Sequence, residues 1–371
     1  MKLAFCLYKY FPFGGLQRDF LSIATLCHEH HHSIRVYTLS WQGKIPDFID
    51  LRIVPIKALQ NHRLYKRFQS WVQEDLKKDP VDKIIGFNKM PELDVYYAAD
   101  SCYIAQFGQP LSWYQCFNGR FKQFYRDEKA VFNPEAKTKI LLLTASQKSD
   151  FQRCYHTPDT RFTILPPGIA RDRVRPMNAA SIRAHLRLEF SIKNDDILLL
   201  MVGSGFKTKG LDRALEAIAA LPPPVLQRCQ FIVIGQDKAK AFVQLSQKLN
   251  IANKVQILSG RTDIPRFLVA ADLLLHPAYQ EAGGIILLEA LVAGLPVLTT
   301  DVCGYAPYIS AAGNGIVIHS PFEQNHFNAL LLKAIQDENL RAEWQHAALS
   351  YAQTADLFGL VPSAVKVIEG S

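Results

Sequence analysis

Short apolar runs, each about as long as a β-strand, recur along the first half of the chain, and helical stretches separate them. In LQRDFLSIATLCHE (16–29), the apolar residues recur every three or four positions, which is typical of an amphipathic helix. Strands that alternate with helices predict a parallel, doubly wound sheet. The runs predicted as strands are KLAFCLY (2–8), IRVYTLS (34–40), LRIVPI (51–56), DKIIGF (82–87), KILLLTA (139–145) and FTILPPG (162–168).

The same pattern starts again after residue 168. DDILLLMVGSGF (195–206) joins a predicted strand to a glycine-rich turn, and further strand runs follow at 229–236, 254–260, 271–277, 295–300 and 314–320. We therefore predict an α/β protein with two facing Rossmann-like domains, residues 1–168 and 169–350. The remaining 351–371 is predicted as a C-terminal helix that packs back on the first domain. Ligands of such sheets bind beyond the carboxyl ends of the strands, which predicts a nucleotide in the cleft between the domains.

Charge separates the two halves of the 371-residue chain. Residues 1–165 hold 23 Lys and Arg against 16 Asp and Glu, a net +7, whereas 166–371 hold 19 against 18, a net +1. This asymmetry predicts an anionic partner or surface for the first half. The apolar content of 49% and charged content of 20% are typical of a soluble globular protein.

Several protein classes are disfavoured. No apolar run approaches the roughly 18 residues that a membrane helix needs, and the start of the chain lacks a signal-peptide cleavage site, so we expect a cytoplasmic protein. The seven cysteines are widely spaced without C-x-x-C, which indicates reduced thiols. HEHHH (28–32) matches H-E-x-x-H in letters, but a strand follows it directly, so we expect a solvated loop and no metal site.

In each half of the chain, a glycine-rich turn follows the first predicted strand. In FPFGGLQRDF (11–20), Gly14 and Gly15 allow close approach of a ligand to a helix N-terminus, and Asp19 lies one turn into that helix. In VGSGFKTKG (202–210), the third glycine of a dinucleotide fingerprint is absent, which disfavours a dinucleotide-dependent oxidoreductase. Its Lys207 and Lys209 open a helix, an arrangement that suits a diphosphate.

The most specific pattern is HPAYQEAGGIILLEALVAGLPVLTT (276–300). Glu281 and Glu289 are eight residues apart, and Gly283 and Gly284 leave the N-terminus of a predicted helix open to phosphate oxygens. Glu289 lies among leucines, where a carboxylate requires hydroxyl donors such as those of a ribose. Eight helical residues span roughly 12 Å, which matches an extended sugar–diphosphate–nucleoside.

These motifs together resemble the retaining GT-B glycosyltransferases of family 4. This resemblance rests on three motifs, namely E-x7-E before A-x-x-x-G-x-P-V, the Lys-Gly pair at a helix start and the N-terminal Gly-Gly pair. The resemblance extends along the whole chain. The further segments that carry it are CLYKYFPFGGLQRDF, GFNKMPELDVYYAAD (86–100), PPGI (166–169), GQDK (235–238) and LSGR-x-D (258–263). In this wider set the chain is similar to the family's glucosyltransferases of the lipopolysaccharide core.

The resemblance implies roles for individual residues. It implies catalytic roles for Asp19 and Glu281. Glu281 is implied to bind a hydroxyl of the donor hexose, and Glu289 is implied to bind the ribose hydroxyls. Thr208 stands where the family has an arginine, for which Lys207 or Arg213 could substitute, although lysine lacks the guanidinium fork. The implied donor-binding residues are Gly14, Gly15, Asp100, Lys207, Lys209, Arg213, Arg261, Ala282, Gly283, Gly284, Ile285 and Glu289.

Residues 103–132 are rich in aromatic residues interleaved with basic ones. Spacing places Phe117, Phe121, Phe124 and Tyr125 on one helical face, which predicts an interfacial helix against anionic lipid, with a core helix or a nucleic-acid surface as alternatives. A second basic cluster, HRLYKRF (62–68), is expected to face acceptor phosphates. The predicted membrane-binding residues are Trp113, Phe117, Arg120, Phe121, Lys122, Phe124, Tyr125 and Arg126.

The implied activity is transfer of glucose from UDP-glucose to a heptose of the lipopolysaccharide inner core, with retention and an α-1,3 linkage. The resemblance implies no cofactor and no metal, because the leaving phosphate takes the proton of the acceptor hydroxyl. The implied partners are a UDP-sugar, the lipopolysaccharide acceptor and an anionic membrane surface, with no nucleic acid and a location on the inner face of the inner membrane. Another UDP-hexose, an amino sugar or a non-catalytic sugar-nucleotide-binding scaffold remain alternatives.

Overall fold

The computed structural model describes residues 1–12, 14–107 and 118–370. It divides into two compact units, Met1–Gly168 with the residues from Gly359 onward, and Ile169–Phe358. The predicted C-terminal segment 351–371 is therefore divided between the units. Its residues up to Phe358, which include the end of the helix Glu338–Thr354, belong to unit 2, and those from Gly359 onward belong to unit 1. Among the described residues, no helix is both long and apolar enough to cross a membrane.

Unit 1 contains a seven-stranded parallel sheet in the order β5-β3-β1-β6-β7-β8-β9. A short parallel pair, β2 and β4, lies outside it. The strands are β1 Lys2–Cys6, β2 Lys9–Tyr10, β3 Ser33–Thr38, β4 Ser40–Trp41, β5 Ile49–Ile53, β6 Lys83–Gly86, β7 Val95–Ala98, β8 Lys139–Leu142 and β9 Phe162–Ile164. The helices are α1 Gly15–Glu29, α2 Asn61–Lys78, α3 Gly119–Phe132, α4 Ala145–Tyr155 and, at the C-terminus, α14 Leu360–Glu369.

Unit 2 contains a six-stranded parallel sheet in the order β12-β11-β10-β13-β14-β15. The strand order reverses between the adjacent strands β10 and β13. The strands are β10 Ile197–Val202, β11 Cys229–Ile234, β12 Val255–Leu258, β13 Leu273–His276, β14 Val297–Thr300 and β15 Gly315–Ile318. The helices are α5 Ala179–Glu189, α6 Leu211–Ala219, α7 Pro223–Gln227, α8 Lys240–Lys248, α9 Ile264–Ala270, α10 Ile285–Ala293, α11 Ala306–Ala312, α12 Gln324–Gln336 and α13 Glu338–Thr354.

Side chains of the central strands alternate between two buried faces. In β1, Leu3 and Phe5 belong to one apolar cluster and Ala4 and Cys6 to the other. Burial on both faces explains why the strands read as continuous apolar runs and could be predicted from the sequence. Strand β7 was not predicted, because VYYA is only four residues long, is buried throughout and shows no alternation.

The C-terminal helix α14 packs on the unit 1 face that carries α1. Leu360 and Ile368 join the apolar cluster that contains Phe20, and all three side chains are buried. Glu369 accepts hydrogen bonds from His30 Nδ1 at 2.7 Å and from His32 Nε2 at 2.9 Å, which lower the pKa of this carboxyl. The HEHHH segment therefore ties α1 to α14, and the described residues contain no cluster suited to hold a metal ion.

Candidate functional site

The site in unit 2 is built by two loops that leave neighbouring strands where the strand order reverses. The loop after β10 leads into α6, and the loop after β13 leads into α10. Both helices begin directly after a glycine in the left-handed region, Gly210 with φ of 78° and Gly284 with φ of 86°. A reversal of strand order is where open α/β sheets bind ligands, and two helix N-termini there favour an anion.

Gly210 is required for steric as well as conformational reasons. A Cβ atom at this position would lie 2.0 Å from the carbonyl oxygen of Pro277, in the other loop. The backbone N–H of Tyr279 also donates to the Thr208 carbonyl at 2.8 Å. The two loops are therefore in direct backbone contact, and glycine permits the close approach.

The loop after β13 is held from its other side by the end of β14 and by a residue that follows it. Thr299 donates to the His276 carbonyl at 3.1 Å, and Thr300 donates to the Ala278 carbonyl at 2.9 Å. The N–H of Tyr305 donates to the Gly283 carbonyl at 2.8 Å. These bonds fix the backbone that presents Glu281, Ala282, Gly283, Gly284 and Ile285.

Lys209 and Glu281 meet at the centre of this site. The Lys209 ammonium forms an ion pair with Glu281 Oε2, and both side chains are largely buried, with 19% and 14% exposed. Burial lowers the pKa of Lys209. The adjacent Glu281 carboxylate favours the charged ammonium. The sequence predicted each residue as donor-binding or catalytic, and the structure brings them together.

His276 lies beside this ion pair and was not predicted as a site residue. Its side chain is fully buried, and its Nε2 atom lies 3.6 Å from Glu281 Oε2. Burial lowers the pKa of His276 to about 3, with a further contribution from Lys209, so the imidazole is neutral near pH 7. Neither ring nitrogen has a hydrogen-bond partner in the described part of the chain, which leaves polar capacity at the site for a ligand.

Glu289 lies inside α10 with only 4% of its surface exposed. Arg173 lies close to it, with its Nε atom 3.6 Å from Glu289 Oε1. Arg173 is itself largely buried, and its Nε and Nη1 atoms lack hydrogen-bond partners among the described residues. Arg173 was missed by the sequence analysis, because 116 residues separate it from Glu289 and no local motif marks it.

The two residues predicted to replace the missing arginine have other partners. Arg213 donates to the carbonyls of Pro277 and Ala278 at 3.1 and 3.0 Å, and its guanidinium lies over the ring of Tyr279. Lys207 is largely exposed and pairs with Asp212. Both residues therefore shape the loops in this structure, and their contact with a diphosphate stays a prediction.

Arg261, one of the implied donor-binding residues, follows β12. It forms a bidentate ion pair with Asp263, at 2.7 and 2.8 Å, and lies over the ring of Phe267 at 5.1 Å. These partners fix its guanidinium beside the start of α9, and its predicted role stays untested.

Unit 1 presents its own candidate residues at the end of β1 and on α1. Gly14 precedes α1, and Gly15 is its exposed first residue, with open space where a Cβ atom would lie. Asp19 is half-buried and accepts a hydrogen bond from the Tyr97 hydroxyl at 2.7 Å, which links it to β7. Asp100 follows β7 and is exposed.

A buried carboxylate holds the segment after Asp100 in place through hydrogen bonds. Glu128 on α3 is fully buried and accepts from the N–H groups of Tyr103 at 2.7 Å and Ile104 at 3.2 Å. Lys89 donates to Glu128 at 2.5 Å and to the Ser101 carbonyl at 2.9 Å. The sequence analysis missed this pair, because burial of a helical glutamate is not visible in its local pattern.

The structure corrects part of the predicted membrane helix. Phe121 is buried, with 6% exposed, and packs on Phe107 and Tyr125 at ring distances of 5.3 and 5.9 Å, so it does not face lipid. Phe124 and Tyr125 are partly buried. The basic residues Arg120, Lys122 and Arg126 are exposed as expected, whereas Trp113 and Phe117, also predicted to bind the membrane, lie outside the described residues. The period of the aromatic residues was right for a helix, but it cannot distinguish a core-facing from a lipid-facing side.

Known proteins are similar to this chain in sequence and in fold. Residues 183–350 match the family described as glycosyl transferases group 1. The lipopolysaccharide glucosyltransferase WaaG of Escherichia coli is 47% identical over 370 residues, covering 100% of this chain and 99% of that protein. A crystal structure of WaaG, a glycosyltransferase involved in lipopolysaccharide biosynthesis, has a TM-score of 0.96 with full coverage of both chains.

A more distant structure shares the fold alone. Anabaena HepE, crystallised with UDP-glucose, is 17% identical with a TM-score of 0.77 and full coverage of both chains. The predicted fold class, an α/β protein of the GT-B type with two parallel sheets, is confirmed. The chain is an enzyme that belongs to the group 1 glycosyltransferases, in the family that contains WaaG.

Proposed function

We propose that this protein transfers glucose, with retention, from UDP-glucose to a heptose of the lipopolysaccharide inner core through an α-1,3 linkage. The observation that carries the proposal is the buried Lys209–Glu281 ion pair beside the start of two helices where the strand order of unit 2 reverses. The name of the 47% identical E. coli relative, a lipopolysaccharide glucosyltransferase, supports the same donor sugar and acceptor class.

The donor is assigned to unit 2. The N-terminus of α10 at Gly284 and Ile285, together with Lys209, suits a diphosphate, because backbone N–H groups and an ammonium converge there. Glu281 is assigned to a hydroxyl of the hexose and Glu289 to the ribose. Since both carboxylates are largely buried, hydroxyl donors of the ligand would find strong acceptors there.

The reaction we assign needs positioning and charge stabilisation more than a protein base. The acceptor oxygen bonds to the anomeric carbon on the face from which UDP departs, the bond from that carbon to the phosphate oxygen breaks, and the departing phosphate takes the hydroxyl proton. Lys209 and the α10 N–H groups stabilise the negative charge that develops on the phosphate. Asp19 of unit 1 is assigned to the acceptor hydroxyl and Asp100 of unit 1 to the donor hexose, and no metal or cofactor is assigned.

We also assign the protein to the cytoplasmic face of the inner membrane as a peripheral protein. Arg120, Lys122 and Arg126 on the exposed side of α3 support this, together with the net charge of +7 over residues 1–165. Each basic residue near an anionic leaflet contributes about 1 kcal/mol. Reversing these three charges should abolish co-sedimentation with vesicles that contain phosphatidylglycerol, and unchanged binding would contradict the membrane assignment.

A panel of UDP-sugars tests the transferase proposal. The purified enzyme is incubated with UDP-glucose, UDP-galactose or UDP-N-acetylglucosamine and with lipopolysaccharide that ends at the inner-core heptoses. We expect UDP release that requires acceptor and is fastest with UDP-glucose. Release with none of the donors would favour a non-catalytic scaffold, and preference for another sugar would correct the donor.

A further inference from the structure

The basic cluster HRLYKRF (62–68) has no part in the reaction assigned above, and it lies along a groove in unit 1. The groove forms between α2 and the segment that follows β5 and has a volume of about 560 Å³. It is lined by Ile56, Arg63, Lys66, Arg67, Ser70, Trp71 and Glu74. We call it the α2 groove. Arg63, Lys66 and Arg67 are all exposed, and they lie three and four residues apart on one side of the helix.

These three cations are uncompensated. None of them forms an ion pair within the part of the chain that the structure describes, whereas Lys2, Arg35 and Lys89 of the same unit all do. Like charges three and four positions apart on a helix destabilise it by a few tenths of a kcal/mol per pair. An anion bound in the α2 groove would relieve this repulsion.

The walls of the α2 groove are fixed by internal contacts. Arg67 donates to the Lys57 carbonyl and so holds the segment after β5 against the helix. Trp71 packs edge-on against buried Tyr37 at 6.2 Å. The groove therefore offers preformed guanidinium and ammonium groups beside an indole, a combination that suits a charged sugar better than a flat bilayer surface.

The α2 groove is connected to the acceptor side of unit 1 through Tyr65. The Tyr65 ring stacks on Tyr8, which follows β1, with 3.8 Å between centroids. Burial raises the pKa of Tyr65, Arg120 opposes this shift and Asp100 adds to it, so both charges act on the same ring. Because Tyr65 stacks on Tyr8, the helix that carries the basic groups is anchored to the segment after β1 that leads to Asp19.

We infer that the α2 groove binds negatively charged groups on the saccharide of the glycolipid acceptor, at a distance from the bond that forms. This inference rests on the proposed function. Guanidinium groups bind phosphate and carboxylate oxygens through paired hydrogen bonds. Arg63 and Lys66 would hold these groups, Trp71 would contact the apolar face of a sugar ring, and Arg67 would keep the groove in shape.

The test combines Arg63→Gln with Lys66→Gln and compares it with a double variant of matched charge, Lys77→Gln with Lys78→Gln, at the exposed end of the same helix. The acceptor is the deacylated oligosaccharide of heptose-terminated lipopolysaccharide, which removes the membrane from the assay. We expect KM for this acceptor to rise roughly tenfold in the groove variant, with kcat and KM for UDP-glucose unchanged. The control variant should stay within twofold of the wild type.

Two further measurements separate the outcomes. Calorimetric titration of the oligosaccharide should show the same roughly tenfold loss of affinity, and this measurement tests the groove even if the wild type transfers no glucose. Co-sedimentation with phosphatidylglycerol vesicles should be equal for both double variants. Unchanged oligosaccharide affinity, or a loss confined to vesicle binding, would overturn the inference, whereas failure of the wild type to turn over would overturn only the proposed function.

Discussion

Lys209 and Glu281 form an ion pair across two loops that leave adjacent strands of unit 2. The two residues are far apart in the sequence, and both side chains are largely buried. A buried ion pair of this kind adds little net stability, because removal of both charges from water offsets their attraction. Its placement beside two helix N-termini indicates that the charges serve a ligand rather than the fold.

Replacing Glu281 by Gln should separate catalysis from nucleotide binding. The variant keeps the size of the side chain but loses the carboxylate assigned to the donor hexose. We expect kcat to fall by roughly 100-fold or more, while the affinity for UDP, measured by calorimetry, changes less than about threefold. Glu216→Gln on the exposed side of α6 is the matched control. Near-normal turnover in the Glu281 variant would show that the site is wrongly assigned.

Two glycines of the loop after β10, Gly205 and Gly210, should differ in their tolerance of alanine. Gly205 and Gly210 both have positive φ, 81° and 78°, so each substitution costs about 1 kcal/mol of backbone strain. Only Gly210 faces a backbone collision, with Pro277. Urea denaturation should therefore show a loss of about 3 kcal/mol or more for Gly210→Ala and about 1 kcal/mol for Gly205→Ala. Equal losses would contradict the close approach of the two loops.

His276 should make the protein sensitive to acid. Its pKa is about 3 in the folded protein. Its ordinary value is about 6.5, so below that pH the unfolded chain binds the additional proton and stability falls as pH falls. Between pH 7 and 5 the wild type should lose roughly 2 kcal/mol more than His276→Gln, read from urea midpoints at both pH values. The same loss in both proteins would mean that the imidazole is not held neutral.

Glu128 should be more important for stability than an ordinary helical glutamate. Glu128→Leu leaves Lys89 and two backbone N–H groups without their buried acceptor. We expect a loss of about 3–5 kcal/mol. Adding Lys89→Met should restore only part of it, because the N–H groups remain unpaired. Thermal unfolding checks this, with Glu135→Leu on the exposed loop after α3 as the control. Full recovery in the double variant would mean that the backbone bonds contribute nothing.

The sequence predicted most of the fold because its central strands are buried on both faces and stand out as apolar runs between helices. It located Lys209, Glu281 and Gly284 because each belongs to a local motif. It did not predict His276 or Arg173, since their relevance comes from contacts that only the folded chain creates. Phe121 illustrates the same limit, because periodicity gave its helix but not the direction that its ring faces.

The chemical structure of the glucosylated product decides whether the enzyme catalyses the assigned transfer. The enzyme is given UDP-glucose and heptose-terminated lipopolysaccharide, and the purified product is examined by mass spectrometry and by proton NMR of the new anomeric signal. We expect one added hexose per acceptor, linked to a heptose in the α configuration, and none with Glu281→Gln. An added sugar in the β configuration would contradict retention, and release of UDP without any added hexose would contradict the assigned transfer.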